Sequence, residues 1–309
     1  MKTKTKGFIM LLMTAFIWGT AFVAQRKGME FIGPFTFNGI RSFIGAAVLI
    51  PVILLIRSRA KASDPDSPDA LVSSSSRKNL LKGGLCCGLL MFTASTLQQA
   101  GMVYTTSGKA GFITALYIVI VPILGLFLGK KVRPIIVFCV ALAMAGLYLL
   151  TIKEGLTINK GDLLILACAF FFSLHILVID HFSPRTNSVA LSAIQLLITG
   201  IISVPCMIIF ETINWNSLYE CAFPIFYAGV MSCGVAYTMQ IVAQKYTEPA
   251  VASLLLSLES VFAALAGAVV LGEVLSGREL TGCIIMFAAI ILAQLPEKKY
   301  QTRHSRIAK

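Results

Sequence analysis

The charges of this 309-residue chain, 26 Lys/Arg and 14 Asp/Glu, are spaced so unevenly that they leave long uncharged segments between them. Charge-free stretches run 7–25, 83–108, 110–129, 134–152, 163–179, 186–210, 221–244 and 280–296, and two more, 31–56 and 249–272, are each interrupted once, by Arg41 and by Glu259. A hydrocarbon core about 30 Å thick needs roughly 20 apolar residues at about 1.5 Å each, so the ten segments predict ten spanning helices. Because AVILMFWYC make up 57% of the chain and DEKR only 13%, a water-soluble globule is excluded. Barrel strands would show segments of about ten residues with alternating polarity, and the sequence lacks them. The fold class is therefore an all-α integral membrane protein.

The net charge of +12 does not point to nucleic acid, because the basic residues sit in short loops and tails and form no stripe. With both termini cytoplasmic, 19 of the 26 Lys/Arg fall inside, 6 fall outside and Arg41 lies in the membrane. That asymmetry follows the positive-inside rule and requires an even number of spans. The stretch 58–79, rich in Ser, Pro and Asp, reads as a cytoplasmic loop that cannot bury enough apolar surface to order itself. Lys2, Lys4 and Lys6 before an apolar run resemble a signal peptide, but Phe22 stands where a cleavage site before Ala24 needs a small residue, so an uncleaved first helix is expected. The eight cysteines show no zinc or disulfide spacing and read as apolar packers.

Comparing the halves reveals a weak internal repeat. An offset of 154 places Trp18 on Phe172 and Arg41 on Gln195; an offset of 142 places Gln98 on Gln240, Tyr104 on Tyr246 and Thr105 on Thr247. Five spans per half would send the second half through the membrane in the opposite sense, giving two inverted five-helix repeats with a substrate path between them near the midplane.

Several short motifs add a resemblance. Phe16-Ile17-Trp18-Gly19-Thr20-Ala21-Phe22-Val23, Phe37-Asn38-Gly39-Ile40-Arg41, Ala110-Gly111-Phe112-Ile113-Thr114-Ala115-Leu116-Tyr117 through Pro122, and Leu271-Gly272-Glu273 together resemble EamA-type members of the drug/metabolite transporter superfamily. Gly129-Lys130-Lys131 departs from the Gly-Glu that often closes the first unit, and Ser260 stands where many second units carry Pro. The resemblance implies one EamA-like unit over 7–152, another over 161–296 and a basic cytoplasmic tail over 297–309. It also implies solute permeation, commonly efflux of amino acids or other small metabolites.

Charged groups in hydrocarbon cost about 2.5–3.5 kcal/mol each on insertion scales, which makes the survivors functional candidates. Glu259, roughly 15 Å into its span, suits proton exchange or recognition of a substrate ammonium. Arg41 suits bidentate capture of a carboxylate, with a permanent ion pair to Glu259 or bonds to helix carbonyls as the structural alternatives. His175 is the histidine placed to titrate inside the membrane, although a lone histidine there is more often a hydrogen-bonded interhelical contact than a proton relay. Gln98, Gln99, Gln195 and Gln240 each require a partner. Trp18, Tyr117 and Tyr237 lie inside their spans, where they can stack on a solute or simply pack. Gly84-x-x-x-Gly88, Gly125-x-x-x-Gly129 and Ala263-x-x-x-Gly267 are explained by close helix approach alone.

There is no P-loop, no H-E-x-x-H and no carboxylate cluster. Ser173 and His175, two apart on one helix, face away from each other, which argues against a hydrolase with Asp180. The expected function is a secondary transporter of small polar metabolites such as amino acids across the plasma membrane, an exporter working by alternating access. A channel or structural scaffold is the alternative of a different class, with an intramembrane enzyme third. Expected partners are a small-molecule metabolite, the lipid bilayer, a proton as coupling ion and a second copy in a homodimer; no nucleic acid, cofactor or metal is expected. The topology is testable: a cysteine introduced as Ser75→Cys should be labelled only from the cytoplasmic side, and labelling from outside intact cells would reverse the orientation.

Overall fold

The computed structural model of the protein describes residues 2–63, 74–105, 107–151, 159–271 and 276–293. The expected tail 297–309, residues 64–73 of the expected 58–79 loop and the motif residues Gly272 and Glu273 lie outside the described residues; 58–63 and 74–79 continue the helices on either side. Everything described is helix or short connection. The helices are α1 (Lys2–Gly28), α2 (Pro34–Ser63), α3 (Ser74–Met102), α4 (Ser107–Thr114), α5 (Tyr117–Phe127), α6 (Pro134–Thr151), α7 (Lys160–Phe182) and α8 (Ser188–Phe210). After the short α9 (Trp215–Glu220) come α10 (Ala222–Tyr227), a π-helical segment (Ala228–Ala236) and α11 (Tyr237–Gln244), which run on as one rod, then α12 (Pro249–Leu256), α13 (Glu259–Leu271) and α14 (Gly277–Ala293).

Local chemistry sets the ends. Pro34, Pro134 and Pro249 open α2, α6 and α12, where a missing N–H costs nothing. Asn159 and Asp162 form a reciprocal capping box at α7, and Asn187 caps α8 through the Val189 and Ala190 amides. After α5 the chain stops at Gly129, whose φ of +74° is the left-handed conformation glycine favours, while the Lys130 amide reaches back to the Gly125 carbonyl at 2.9 Å. Gly129 therefore works as a helix stop, with no heavy atom within 4 Å of where its Cβ would stand, which corrects the packing role expected for Gly125-x-x-x-Gly129. Gly84 and Gly88 do pack, against Ile194 and Ile198 of α8.

Eight of the helical stretches are long and apolar enough to cross a membrane: Thr5–Gly28, Pro34–Ser58, Arg77–Met102, Ala110–Phe127, Lys160–Arg185, Ser188–Phe210, Ala222–Gln244 and Pro249–Ala266. Pro134–Leu150 is apolar but shorter, and α14 is described over only 17 residues. Two segments expected as unbroken spans are each two helices in line: 110–129 divides between α4 and α5, and 249–272 between α12 and α13. Neither break carries Pro or Gly.

Element ends recur at fixed intervals. Gly28 and Phe182 close α1 and α7, 154 residues apart, and Pro34 and Ser188 open α2 and α8 at the same interval. From α3 onward the interval is 142, for Met102 and Gln244, for Thr114 and Leu256, and for Tyr117 and Glu259. Contacts identify two faces. At the face where α1 begins, Gly7 lies beside Thr247, Lys130 pairs with Asp180 at the end of α7, and the Lys245 Nζ donates to the Thr186 carbonyl. At the opposite face Arg26 Nη1 donates to the Met102 and Thr105 carbonyls, Thr105 donates to Asp162 at the start of α7, and Glu211 at the end of α8 accepts from Phe35 and Thr36 at the start of α2.

The core contains Leu11, Met91, Ile118, Leu147 and Leu196, all at most 1% exposed, whereas Phe127, Phe138, Ile209, Val269 and Ile284 stand outward, as expected for residues that face lipid. At one contact the backbones of α6 and α14 nearly touch: a Cβ at Gly146 would lie 2.8 Å from the Gly282 carbonyl oxygen, and one at Gly282 would lie 2.5 Å from that of Gly146. Gly146→Leu should therefore overpack this crossing and cost about 1–3 kcal/mol, read as a lower midpoint of thermal unfolding in detergent, and an unchanged midpoint would contradict the contact.

Candidate functional site

Between the halves lies a partly open cavity, with about 460 Å³ of empty space when its open mouth is included. Seven of the nine residues expected to carry function line it: Trp18, Arg41, Gln98, Tyr117, Tyr237, Gln240 and Glu259. The other two, His175 and Gln195, are fully buried behind its wall and bond to each other, Nε2 to Oε1, at 3.0 Å.

The helix breaks build the floor of the cavity. Tyr117 opens α5 and Glu259 opens α13, each immediately after the two-residue break in its own segment. The Tyr117 hydroxyl donates to Glu259 Oε1 at 3.0 Å, joining two residues that occupy equivalent places in the two halves. Gly19 lets α1 come down on the same point: a Cβ there would lie 2.5 Å from Phe262 Cβ and 2.7 Å from the Glu259 carbonyl oxygen.

Arg41 sits seven residues into α2, or roughly 10 Å along it, and is 3% exposed. Its Nη1 donates to Gln25 Oε1 at 2.8 Å, and its guanidinium lies 5.3 Å from the Phe37 ring centroid. No carboxylate among the described residues is within ion-pair distance of it, so the alternative of a permanent Arg41–Glu259 pair does not describe this geometry. Cation and carboxyl enter one cavity, each held by a neutral partner.

Other lining groups have hydrogen-bonding capacity to spare. The Trp18 Nε1 donor and the Gln240 Oε1 acceptor are buried without partners, and the Trp18 ring lies 4.8 Å from that of Tyr237. Gln98 donates to the Thr114 hydroxyl at 3.2 Å. Gln99, fully buried outside the lining, has no partner for either amide atom among the described residues. Sequence reasoning missed Gln25, Thr114, Ser232, Phe22, Phe172, Ile176 and Leu256 as lining residues. Gln25 stands next to Arg26 at a helix end and reads there as interfacial. Of the others, only Phe172 carried a signal, since the repeat aligns it with Trp18.

These features define a multi-pass helical membrane protein built around a central, partly polar, aromatic-walled cavity. The EamA-like transporter family profile matches residues 5–152 and again 159–295, and the chain belongs to that family. It is a membrane transporter. A protein of Archaeoglobus fulgidus named "Uncharacterized transporter" is 31% identical over 288 residues, covering 92% of this chain and 84% of its own. "Uncharacterized transporter YoaV" of Bacillus subtilis is 22% identical, covering 93% and 96%. A solved crystal structure, 20% identical, shares the fold with a TM-score of 0.75 over 94% of this chain and 96% of its own.

Removing the hydroxyl at the junction tests its role. Tyr117→Phe leaves Glu259 Oε1 buried without its donor and should cost about 1–3 kcal/mol of stability. Adding Glu259→Leu should recover part of that loss in thermal unfolding; a single variant as stable as the wild type would show that the bond contributes nothing.

Proposed function

We propose that the chain is a secondary transporter that moves small polar metabolites such as amino acids across the plasma membrane in the direction of efflux. In this reading ten spans form two inverted five-helix repeats over 7–152 and 161–296, α4 with α5 and α12 with α13 each counting as one span, and both termini are cytoplasmic. The two halves rock about the cavity so that it opens to one side at a time. The recurrence of helix ends and helix breaks at intervals of 154 and 142 supports the repeat. The opposite direction of α7 relative to α1, read from their contacts at the two faces, supports its inversion.

The observation that carries the substrate class is the pair of unlike charges in one cavity without a bond between them. A small zwitterion presents its carboxylate to Arg41 and its ammonium to Glu259, and its remaining polar atoms meet the free Trp18 donor and Gln240 acceptor. With substrate bound, each buried charge faces a counter-charge. A proton is the coupling ion in this reading: Glu259, freed of substrate, takes one, and its Tyr117 bond holds the side chain in place.

Reconstituted vesicles and a radiolabelled mixture of the protein amino acids provide the test. Glu259→Gln, which can still accept from Tyr117, should remain folded and abolish uptake; unchanged uptake at every pH would overturn the reading. Arg41→Gln should lose about 1.5–3 kcal/mol of binding, or roughly tenfold to a hundredfold in affinity. Arg41→Lys should recover little, because an ammonium lacks the planar fork. In a double-mutant cycle the two losses should be additive, and a double mutant near wild-type affinity would remove Arg41 from the substrate site.

A further inference from the structure

The π-helical segment 228–236 decides which residues of its span face the cavity. At its end the Tyr237 amide bonds the Ser232 carbonyl, five residues back, where an α-helix would bond four back. On an α-helix, residues five apart stand about 140° apart; the wider turn brings Ser232 and Tyr237 to one side, and Gln240, one turn further along α11, extends it. All three line the cavity. The turn is held from α2, which approaches so closely that a Cβ at Gly45 would lie 2.6 Å from Cys233 Cβ and 3.0 Å from the Gly229 carbonyl oxygen.

The side chains on this strip are polar, neutral and unengaged. Ser232, Tyr237 and Gln240 are 3%, 5% and 1% exposed. None of the three makes a side-chain hydrogen bond to any described residue, and Gln240 Oε1 is buried without a partner. The first half has no counterpart. At the 142-residue interval Leu90 and Ser95 stand for Ser232 and Tyr237, within the unbroken helix α3, and neither lines the cavity. Gln98, the counterpart of Gln240, donates to Thr114, but the position 142 beyond Thr114 is Leu256, whose side chain has no polar atom to offer Gln240. The charged groups of the cavity, Arg41 and Glu259, stand on other helices.

We propose that Ser232, Tyr237 and Gln240 form a side-chain subsite, which selects zwitterions carrying a hydroxyl or a carboxamide over those with apolar side chains of similar shape. The proposal rests on the zwitterion reading above and adds to it a third point of contact, beside Arg41 and Glu259. Two hydroxyls and an amide each donate and accept, so a guest group that does both is paired whichever way it is turned. An apolar side chain seated there displaces water and leaves these groups unpaired, and a charged one meets no counter-charge. Discrimination therefore comes chiefly from what the wrong guest leaves unmade.

Isothermal titration of the full-length protein in lipid nanodiscs tests this with two pairs of amino acids of similar shape, threonine with valine and asparagine with leucine. Threonine and asparagine should each bind about tenfold more tightly than the apolar member of the pair. Gln240→Leu and Ser232→Ala should each bring that ratio toward one, and Ser232→Ala, which removes a single oxygen, keeps the test open if Gln240→Leu fails to fold. Valine and leucine binding as tightly as threonine and asparagine, or a ratio untouched in both variants, overturns the subsite while the zwitterion reading stands. Binding of none of the four overturns the zwitterion reading and the subsite with it.

Discussion

In hydrocarbon a backbone N–H or C=O has no solvent to turn to, and the protein around the cavity depends on how that constraint is met at the two helix breaks. Residues 115–116 and 257–258 interrupt their helices without releasing the backbone. The Leu116 amide bonds the Ile113 carbonyl at 3.2 Å and the Ile118 amide bonds the Ala115 carbonyl at 3.0 Å; Leu258 to Leu255 and Ser260 to Ser257, both 3.2 Å, repeat the pattern 142 residues later. These are tightened turns, and Ala115, Ser257 and Leu258 are fully buried. Irregular backbone at this depth is tolerated where protein covers it or a cavity adjoins it, and both conditions hold here. The residue that follows each break, Tyr117 or Glu259, faces the cavity and meets its counterpart.

The polar groups of the cavity follow from a second constraint, that a charge far from water needs a partner. Arg41 has a glutamine and an aromatic face, and Glu259 has a phenol. Neutral partners stabilise a buried ion less than a counter-ion does, so the Arg41 guanidinium retains an unfilled electrostatic demand. Lys130 and Asp180 at the face where α1 begins do satisfy each other, and each is partly exposed, where pairing is less consequential. The contrast separates side chains that fasten helices from side chains left open for a ligand.

Much of this was legible in the sequence, for identifiable reasons. Uncharged runs long enough to span a bilayer register directly as helices, and a charge within such a run is conspicuous; this is how Arg41 and Glu259 could be singled out before their surroundings were known. The breaks were not legible because Ala115-Leu116 and Ser257-Leu258 are ordinary helix-forming pairs, with neither Pro nor Gly to mark a stop. The π-helical segment 228–236 does contain Gly229 and Gly234, but a glycine within an apolar run marks close packing as readily as a change of helix type, and Gly229 packs on Ile44 of α2. The repeat aligned Arg41 with Gln195, but the partners Gln25 and His175 differ by one turn between halves, and an alignment by fixed offset passes over such a shift.

The two faces of the protein are held by different chemistry. At one, the carboxylate of Glu211 accepts from the Phe35 amide at 2.7 Å, the Thr36 amide at 2.8 Å and the Thr36 hydroxyl at 2.6 Å, so α8 caps the first turn of α2. A carboxylate suits that place, because the orphan amides and the dipole of a helix N-terminus both favour negative charge. The position 154 residues earlier is Arg57, whose positive charge could not serve the N-terminus of α8 in return, and α8 is capped by its own Asn187. At the other face one link is the ion pair of Lys130 and Asp180, which joins the end of α5 to the end of α7, beside the Lys245 Nζ bond to the Thr186 carbonyl. A structure with interchangeable halves would have open states of equal energy on its two sides. Here a three-bond cap guards one side and a partly exposed ion pair guards the other, so on the alternating-access reading the two states differ in energy through their faces, and substrate enters that balance only through the cavity.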